Sequence, residues 1–256
     1  MSATASSASS SAVPDTVENI VARLPKFFTV SIIARRGSGK SVLVQELIEI
    51  VLKKNIVDIV MVMSDSAGLN HDYEDIIPKK LIQPFSDTVL ERIWNLQAET
   101  KIEDRKHILI CLDDCLANPE AVKSKWIDKY FSVSRHLNIS MCVLSQHTSI
   151  LLTPLRRGNS DLIIWAKLSH HALDALSKNV SNLTTKQFIQ ISEKFSAHNY
   201  QFMVFDQYIS SPNPAEFLTF VKASPPKKKK AKKQIAEQTD DPEPPKAKLP
   251  MYDFTD

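Results

Sequence analysis

This sequence predicts an α/β fold built on a mainly parallel sheet, and three observations carry the prediction. An apolar, β-branched run from Phe27 to Ala34 passes straight into a glycine loop and then into residues with helical spacing. Four further apolar runs, Ile56 to Met63, His107 to Leu112, Ile139 to Leu144 and Asp161 to Ala166, alternate with helical stretches, as buried parallel strands do. Three of these strands end in polar residues, Ser64-Asp65, Asp113-Asp114 and Ser145-Gln146, at the edge where a parallel sheet meets its ligand. Numbered in chain order, the five strands are expected in the order 5-1-4-3-2, with helices on both faces.

Before the first strand, residues 1–14 are rich in Ser and Ala and too poor in bulky apolar side chains to order, and Asp15 to Leu24 has weak helical spacing that ends at Pro25. The glycine loop opens a helix from about Lys40 to Lys53, with Leu43, Leu47, Ile50 and Val51 toward the sheet. Between the second and third strands, Ala67 to Pro84 holds turn residues and Tyr73 and is expected to wander over the surface; Ser86 then caps a helix carrying Val89, Ile93 and Leu96. A helix over Ala121 to Leu137 leads into the fourth strand, and Ile150 to Gly158 holds Pro154 and Arg156-Arg157. Leu173 to Asn179 and Thr184 to Phe195 read as helices. Tyr200 to Asp206 and Phe217 to Val221 read as a closing β-pair across the turn Ser-Ser-Pro-Asn-Pro. A tail from 223 to 256 is Lys-rich and then acidic and Pro-rich, which leaves residues 15–222 as one domain.

Composition narrows the function. The net charge is +3, yet 9 lysines against 6 acidic residues fall from Lys222 onward, so the body carries 23 charges of each sign. No broad basic field exists to drive nucleic-acid binding; such contact has to come from a local cluster or from assembly. Cys111, Cys115 and Cys142 lie in or beside strand-like runs and read as buried thiols of a reducing compartment. Residues 1–12 lack the apolar core and basic flank of a signal peptide, and no apolar run approaches membrane-spanning length.

The glycine loop carries the chemistry. Two of the four glycines, Gly37 and Gly39, stand in Ala34-Arg35-Arg36-Gly37-Ser38-Gly39-Lys40-Ser41, a Walker A pattern with alanine in place of its leading glycine. Amides from Gly37 to Ser41 would form an anion nest at a helix start, Arg35, Arg36 and Ser38 would line it, Lys40 would neutralise β- and γ-phosphate oxygens, and Ser41 would hold Mg²⁺. Asp113-Asp114 after an apolar strand has the form of a Walker B element, the first carboxylate serving the metal shell and the second orienting or deprotonating water. Gln146, at the tip of the intervening strand, is suited to touch a γ-phosphate or an attacking water; a surface glutamine is the alternative.

Taken together, Arg-Arg-Gly-Ser-Gly-Lys-Ser, the strand Val-Met-Val-Met-Ser, the Leu-Asp-Asp strand end, Ser134 to Ser140 leading to Leu-Ser-Gln-His, and Leu155-Arg156-Arg157-Gly158-Asn159 resemble the DNA-packaging ATPases of large eukaryotic DNA viruses and virophages, poxvirus-type members of the FtsK/HerA superfamily. The resemblance spans about Phe27 to Phe205. It implies a RecA/FtsK-like ATPase that binds ATP and Mg²⁺, assembles with copies of itself into a pentameric or hexameric ring, engages a capsid vertex protein and pumps double-stranded DNA into a preformed capsid, without a membrane. It implies a virus factory or nucleus of an infected eukaryotic cell as the site of action. By position it assigns Asp114 to the water, Gln146 to the γ-phosphate, and Arg157 to a neighbour's active site, with Arg135 and Arg156 as competitors. Asp114 stands where many such translocases use Glu.

Two other functions fit the same motifs. A small-molecule or nucleoside kinase would use Arg156-Arg157 as a basic lid. A nucleotide-dependent scaffold would bind ATP and scarcely turn it over. A GTPase is disfavoured by the absence of an Asn-Lys-x-Asp element. Lys227 to Lys230 with Lys232 and Lys233 reads as a nuclear signal or a phosphate-binding arm.

Overall fold

A computed structural model describes residues 14–66, 72–178, 183–196, 198–211 and 213–224. The expectations for residues 1–13 and for the tail beyond 224 lie outside the described residues. The strands are β1 (Thr29–Ala34), β2 (Ile59–Ser64), β3 (Ile82–Gln83), β4 (Ile108–Asp113), β5 (Ile139–Ser145), β6 (Leu162–Ala166), β7 (Gln201–Asp206) and β8 (Leu218–Lys222). The helices are α1 (Val17–Arg23), α2 (Lys40–Lys53), α3 (Asp87–Glu99), α4 (Pro119–Lys123), α5 (Lys125–Val133), α6 (Thr148–Leu151), α7 (Pro154–Gly158), α8 (His170–Ser177), α9 (Thr185–Ser196) and α10 (Pro214–Phe217).

All eight strands form one sheet in the order β3-β2-β4-β5-β1-β6-β7-β8. Its five central strands, β6-β1-β5-β4-β2, are the predicted ones in the predicted order, all parallel, with the strand that ends in Ser145-Gln146 between β1, which leads into the glycine loop, and β4, which ends in Asp113-Asp114. The sheet is wider than expected and mixed. β3 adds a parallel pair to one edge, and the β7–β8 hairpin adds two antiparallel strands to the other.

Alternation along the strands sorts the core into two layers. Val30, Ile32 and Ala34 of β1, Leu109 and Cys111 of β4, and Cys142 and Leu144 of β5 join Leu43, Leu47, Ile48 and Val51 of α2 and Val17, Ile20 and Val21 of α1 on one face. Ile33, Ile110, Leu112, Met141, Val143 and Trp165 meet α3, α5, α8 and α9 on the other, through Leu90, Ile93, Tyr130, Phe131 and Phe188. Central strands are buried throughout, which is why they read as continuous apolar runs. All three cysteines are free and buried.

The helix expected over Ala121 to Leu137 is broken into three pieces. Ser124 ends α4 and caps α5, its hydroxyl accepting from Ile127 N at 3.1 Å, and the last turn, Ser134–Leu137, is a 3₁₀ helix. A serine bond to the backbone outcompetes continued helix at that position. Ile150 to Gly158 is likewise partly helical, with Pro154 at the first turn of α7 and Thr153 as its cap.

Candidate nucleotide site

The loop between β1 and α2 is shaped by its two glycines, Gly37 at φ +74° and Gly39 at φ +98°, both left-handed. Gly39 sits at the cap position of α2 without a side chain to bond the first amides of the helix, so these remain available to an anion. Arg35, Arg36, Gly37, Ser38, Gly39, Lys40 and Ser41 all line a cleft of about 700 Å³. Arg35 and Arg36 are exposed at its rim, whereas Ser38 and Lys40 are buried.

Facing the loop are the ends of β4 and β5. Asp113, the last residue of β4, is buried, and Asp114 follows in a left-handed turn at φ +54°. Lys40 Nζ lies 2.6 Å from Asp114 Oδ1, and Gln146 Nε2 donates to Asp114 Oδ2 at 3.1 Å. One carboxylate thus joins the lysine of the loop to the glutamine at the tip of β5. This juxtaposition follows from topology, since β5 lies between β1 and β4 and all three are parallel.

Asp113 has a partner that sequence reasoning missed. Tyr73, expected on a surface excursion, is buried, and its hydroxyl donates to Asp113 Oδ2 at 2.7 Å. The excursion is corrected at this point: Ile77 N bonds Tyr73 O at 3.1 Å in a local turn, and Gln45 of α2 donates to Asp72 O at 2.6 Å, which packs the turn against the helix. Burial pushes the Asp113 carboxyl above its ordinary range, the neighbouring Asp114 adds to this, and the Tyr73 bond opposes it. Burial, with the Asp113 charge beside it, holds the Tyr73 hydroxyl protonated well beyond the usual tyrosine range. A lone aromatic among turn residues gives no periodic signal, so nothing in the sequence marked it.

Tyr200 was also missed as a site residue. It lines the cleft, its N–H donates to Ser38 O at 2.8 Å, and its ring covers Gly39. Asp65, one of the two residues expected at the end of β2, lines the same cleft, as does Ser66, whereas Ser64 does not.

The three arginines separate cleanly. Arg156 is 2% exposed, with Nε on Asp128 at 2.7 Å and its other nitrogens on the carbonyls of Ile150 and Val122 at 2.9 and 3.4 Å. It is committed to packing α7 against α4 and α5. Arg157 is half-buried, and among the described residues its guanidinium makes no hydrogen bond or ion pair. Its carbonyl accepts from Gln207 Nε2 at 2.8 Å, level with the start of β1, since Gln207 N bonds Asp161 O and Asp161 N bonds Thr29 O. The cleft begins beyond the other end of that strand, about 16 Å away at strand rise. Arg135 is exposed near the same end, where its charge acts on Asp161 and Tyr208.

Comparison with known proteins agrees with this architecture. "Uncharacterized protein 075L" of Invertebrate iridescent virus 6 is 24% identical over 160 residues, which is 61% of this chain and 61% of the length of that curated relative. The DNA-packaging ATPase B204 of Sulfolobus Turreted Icosahedral Virus superposes with a TM-score of 0.56 at 18% identity, covering 78% of this chain and 98% of that one. The genome packaging NTPase B204 of Sulfolobus turreted icosahedral virus 2, solved with ATP-γS, gives 0.57 at 17% identity over the same shares. The two solved structures show that this chain has the P-loop NTPase fold. The poxvirus A32 protein family matches residues 21–213, from α1 through β7. With well over half of its length inside that match, including every strand that builds the cleft, the chain belongs to the poxvirus A32 protein family.

Proposed function

We propose that this chain is an ATPase that drives double-stranded viral DNA into a preformed capsid. The observation that carries the reading is the meeting, in one cleft, of the phosphate loop, the Asp113-Asp114 strand end and Gln146, with Asp114 bonded to both Lys40 and Gln146. The packaging roles of the B204 proteins and the family match support it.

In this reading Lys40 and the amides of residues 37–41 bind the triphosphate, which takes the place of Asp114 on the lysine. Asp114, released, orients or deprotonates the attacking water, and Gln146 holds water or γ-phosphate from the β5 side. Ser41 and Asp113 would hold Mg²⁺ through hydroxyl and carboxylate oxygens, the donor chemistry that suits this ion. When bound, the ion neutralises charge that develops on the phosphates. Tyr73 holds the Asp113 carboxylate in place.

Arg157 is too far along the sheet to reach its own cleft, so its part in hydrolysis is played in a neighbouring subunit of a ring. Arg156 is excluded from that part by its three bonds within the fold. A capsid vertex protein is the expected docking partner of the ring, and the Lys227–Lys233 cluster directs the protein to the nucleus or retains DNA at the virus factory.

The test is DNA-stimulated ATPase activity in a mixing series of Arg157→Ala and Lys40→Ala proteins. Each alone is inactive, the first for want of a donated guanidinium, commonly on the order of 10³-fold or more, the second for want of a phosphate site. Mixed, a Lys40→Ala subunit lends its arginine to an intact loop and activity returns. No activity at any ratio, in co-assembled protein, rejects the trans assignment; turnover that ignores duplex DNA rejects the motor.

A further inference from the structure

The cleft has a polarity that the strand order imposes. β1 delivers the phosphate loop, and on one side of it, toward β5, β4 and β2, stand Gln146, Asp113, Asp114 and Asp65. On the other side, toward β6, β7 and β8, the cleft-lining residue among those described is Tyr200, which immediately precedes β7. A triphosphate whose γ end meets Asp114 and Gln146 must leave its nucleoside on the β7 side of the loop. We propose that Tyr200 is the base platform of this site, its ring stacking on the nucleobase of a nucleoside triphosphate. This rests on the phosphate-loop reading above.

The geometry of Tyr200 supports the assignment at three points. Its φ of +65° is a left-handed conformation that a bulky residue rarely adopts, and such departures persist where surrounding bonds fix them. Here those bonds are its N–H to Ser38 O at 2.8 Å and its carbonyl from Ala223 N at 2.8 Å. The ring packs flush on Gly39: a Cβ there would lie 2.5 Å from Tyr200 Cδ1, so only glycine lets the ring sit against the loop. The ring is half-buried, leaving part of it open to the cleft. A rigid, partly exposed aromatic surface beside a phosphate nest gives stacking at small entropic cost, tolerant of base identity because every base has a π-face.

Calorimetric titration of the full-length chain with ATP and with inorganic tripolyphosphate, in magnesium buffer, separates base from phosphate. Tyr200→Leu should bind ATP about tenfold or more weaker and tripolyphosphate within about twofold of wild type. Tyr200→Phe, which keeps the ring, should match wild type for both. Equal losses for the two ligands in Tyr200→Leu would show that the tyrosine acts only through the loop, and unchanged ATP affinity would put the base elsewhere; either overturns the proposal. If Tyr200→Leu does not fold, photolabelling wild type with 8-azido-ATP decides: label on the peptide carrying Tyr200 supports the platform, and label confined to other peptides overturns it. A wild-type chain that binds neither ligand rejects the phosphate-loop reading itself, a different failure from one that binds both and ignores Tyr200.

Discussion

Asp114 holds two bonds that cannot both survive nucleotide binding, because the Lys40 ammonium it occupies is the group a phosphate needs. On the proposed function, Asp114→Asn therefore removes a competitor as well as a base. ATP should bind at least as tightly as to wild type, by calorimetry, while kcat falls by about 10²-fold or more, the usual contribution of a positioned base. Wild-type turnover in that variant would make Asp114 structural. Tyr73→Phe leaves the ring in the core and removes only the hydroxyl on Asp113, so the Mg²⁺ concentration needed for half-maximal ATP binding should rise about tenfold, while the buried carboxylate left without its donor costs about 1–3 kcal/mol of stability. An unaltered Mg²⁺ requirement would deny Tyr73 that role. The roles of Lys40, Ser41, Asp113, Asp114 and Gln146 could all be argued from sequence because loop and strand-end chemistry is local to each residue. Tyr73 and Tyr200 could not. Each acts through a contact made far along the chain, and neither sits in a repeating pattern that would announce it.

At the scale of elements, α7 places two adjacent arginines in opposite circumstances. Arg156→Ala strands two carbonyls and the Asp128 carboxylate, a loss of about 2–4 kcal/mol in stability by denaturant unfolding. Arg157→Ala should change stability by less than about 0.5 kcal/mol, as surface substitutions do. Spacing alone could not rank the pair, which the resemblance ordered with Arg157 first, since which arginine turns inward depends on how α7 meets α4 and α5. The same limit applies to the single helix expected before β5. Its apolar spacing is continuous enough to suggest one helix, and the break at Ser124 is decided by a side-chain bond that spacing does not encode. Strands fared better, because burial on both faces writes itself into composition directly.

For the whole molecule, His107 ties four strands at the edge remote from the cleft. Its Nδ1 meets Ile56 O at 2.6 Å and its Nε2 meets Ser140 Oγ at 2.7 Å, while the same hydroxyl accepts from Phe28 N at 2.9 Å. Burial lowers the His107 pKa from its ordinary value. The unfolded chain then binds a proton that the folded one refuses, so stability is constant above the ordinary histidine pKa and declines as pH falls below it toward the depressed folded value. His107→Gln should flatten that decline in melting temperature measured between about pH 7 and pH 5; an unchanged slope would assign it to other groups. Removal of residues 225–256 should leave basal ATPase activity of the isolated protein unchanged, and its collapse would show the tail to be part of the core.

The last described residues are tied back toward the nucleotide site. After β8, Ser224 donates from its N–H and its hydroxyl to the Glu46 carboxylate at 2.8 and 3.2 Å, and Glu46 lies on α2, less than two turns from Lys40 and Ser41. Through Glu46 the outermost strand of the sheet is therefore clamped to the helix whose first turn carries Lys40 and Ser41.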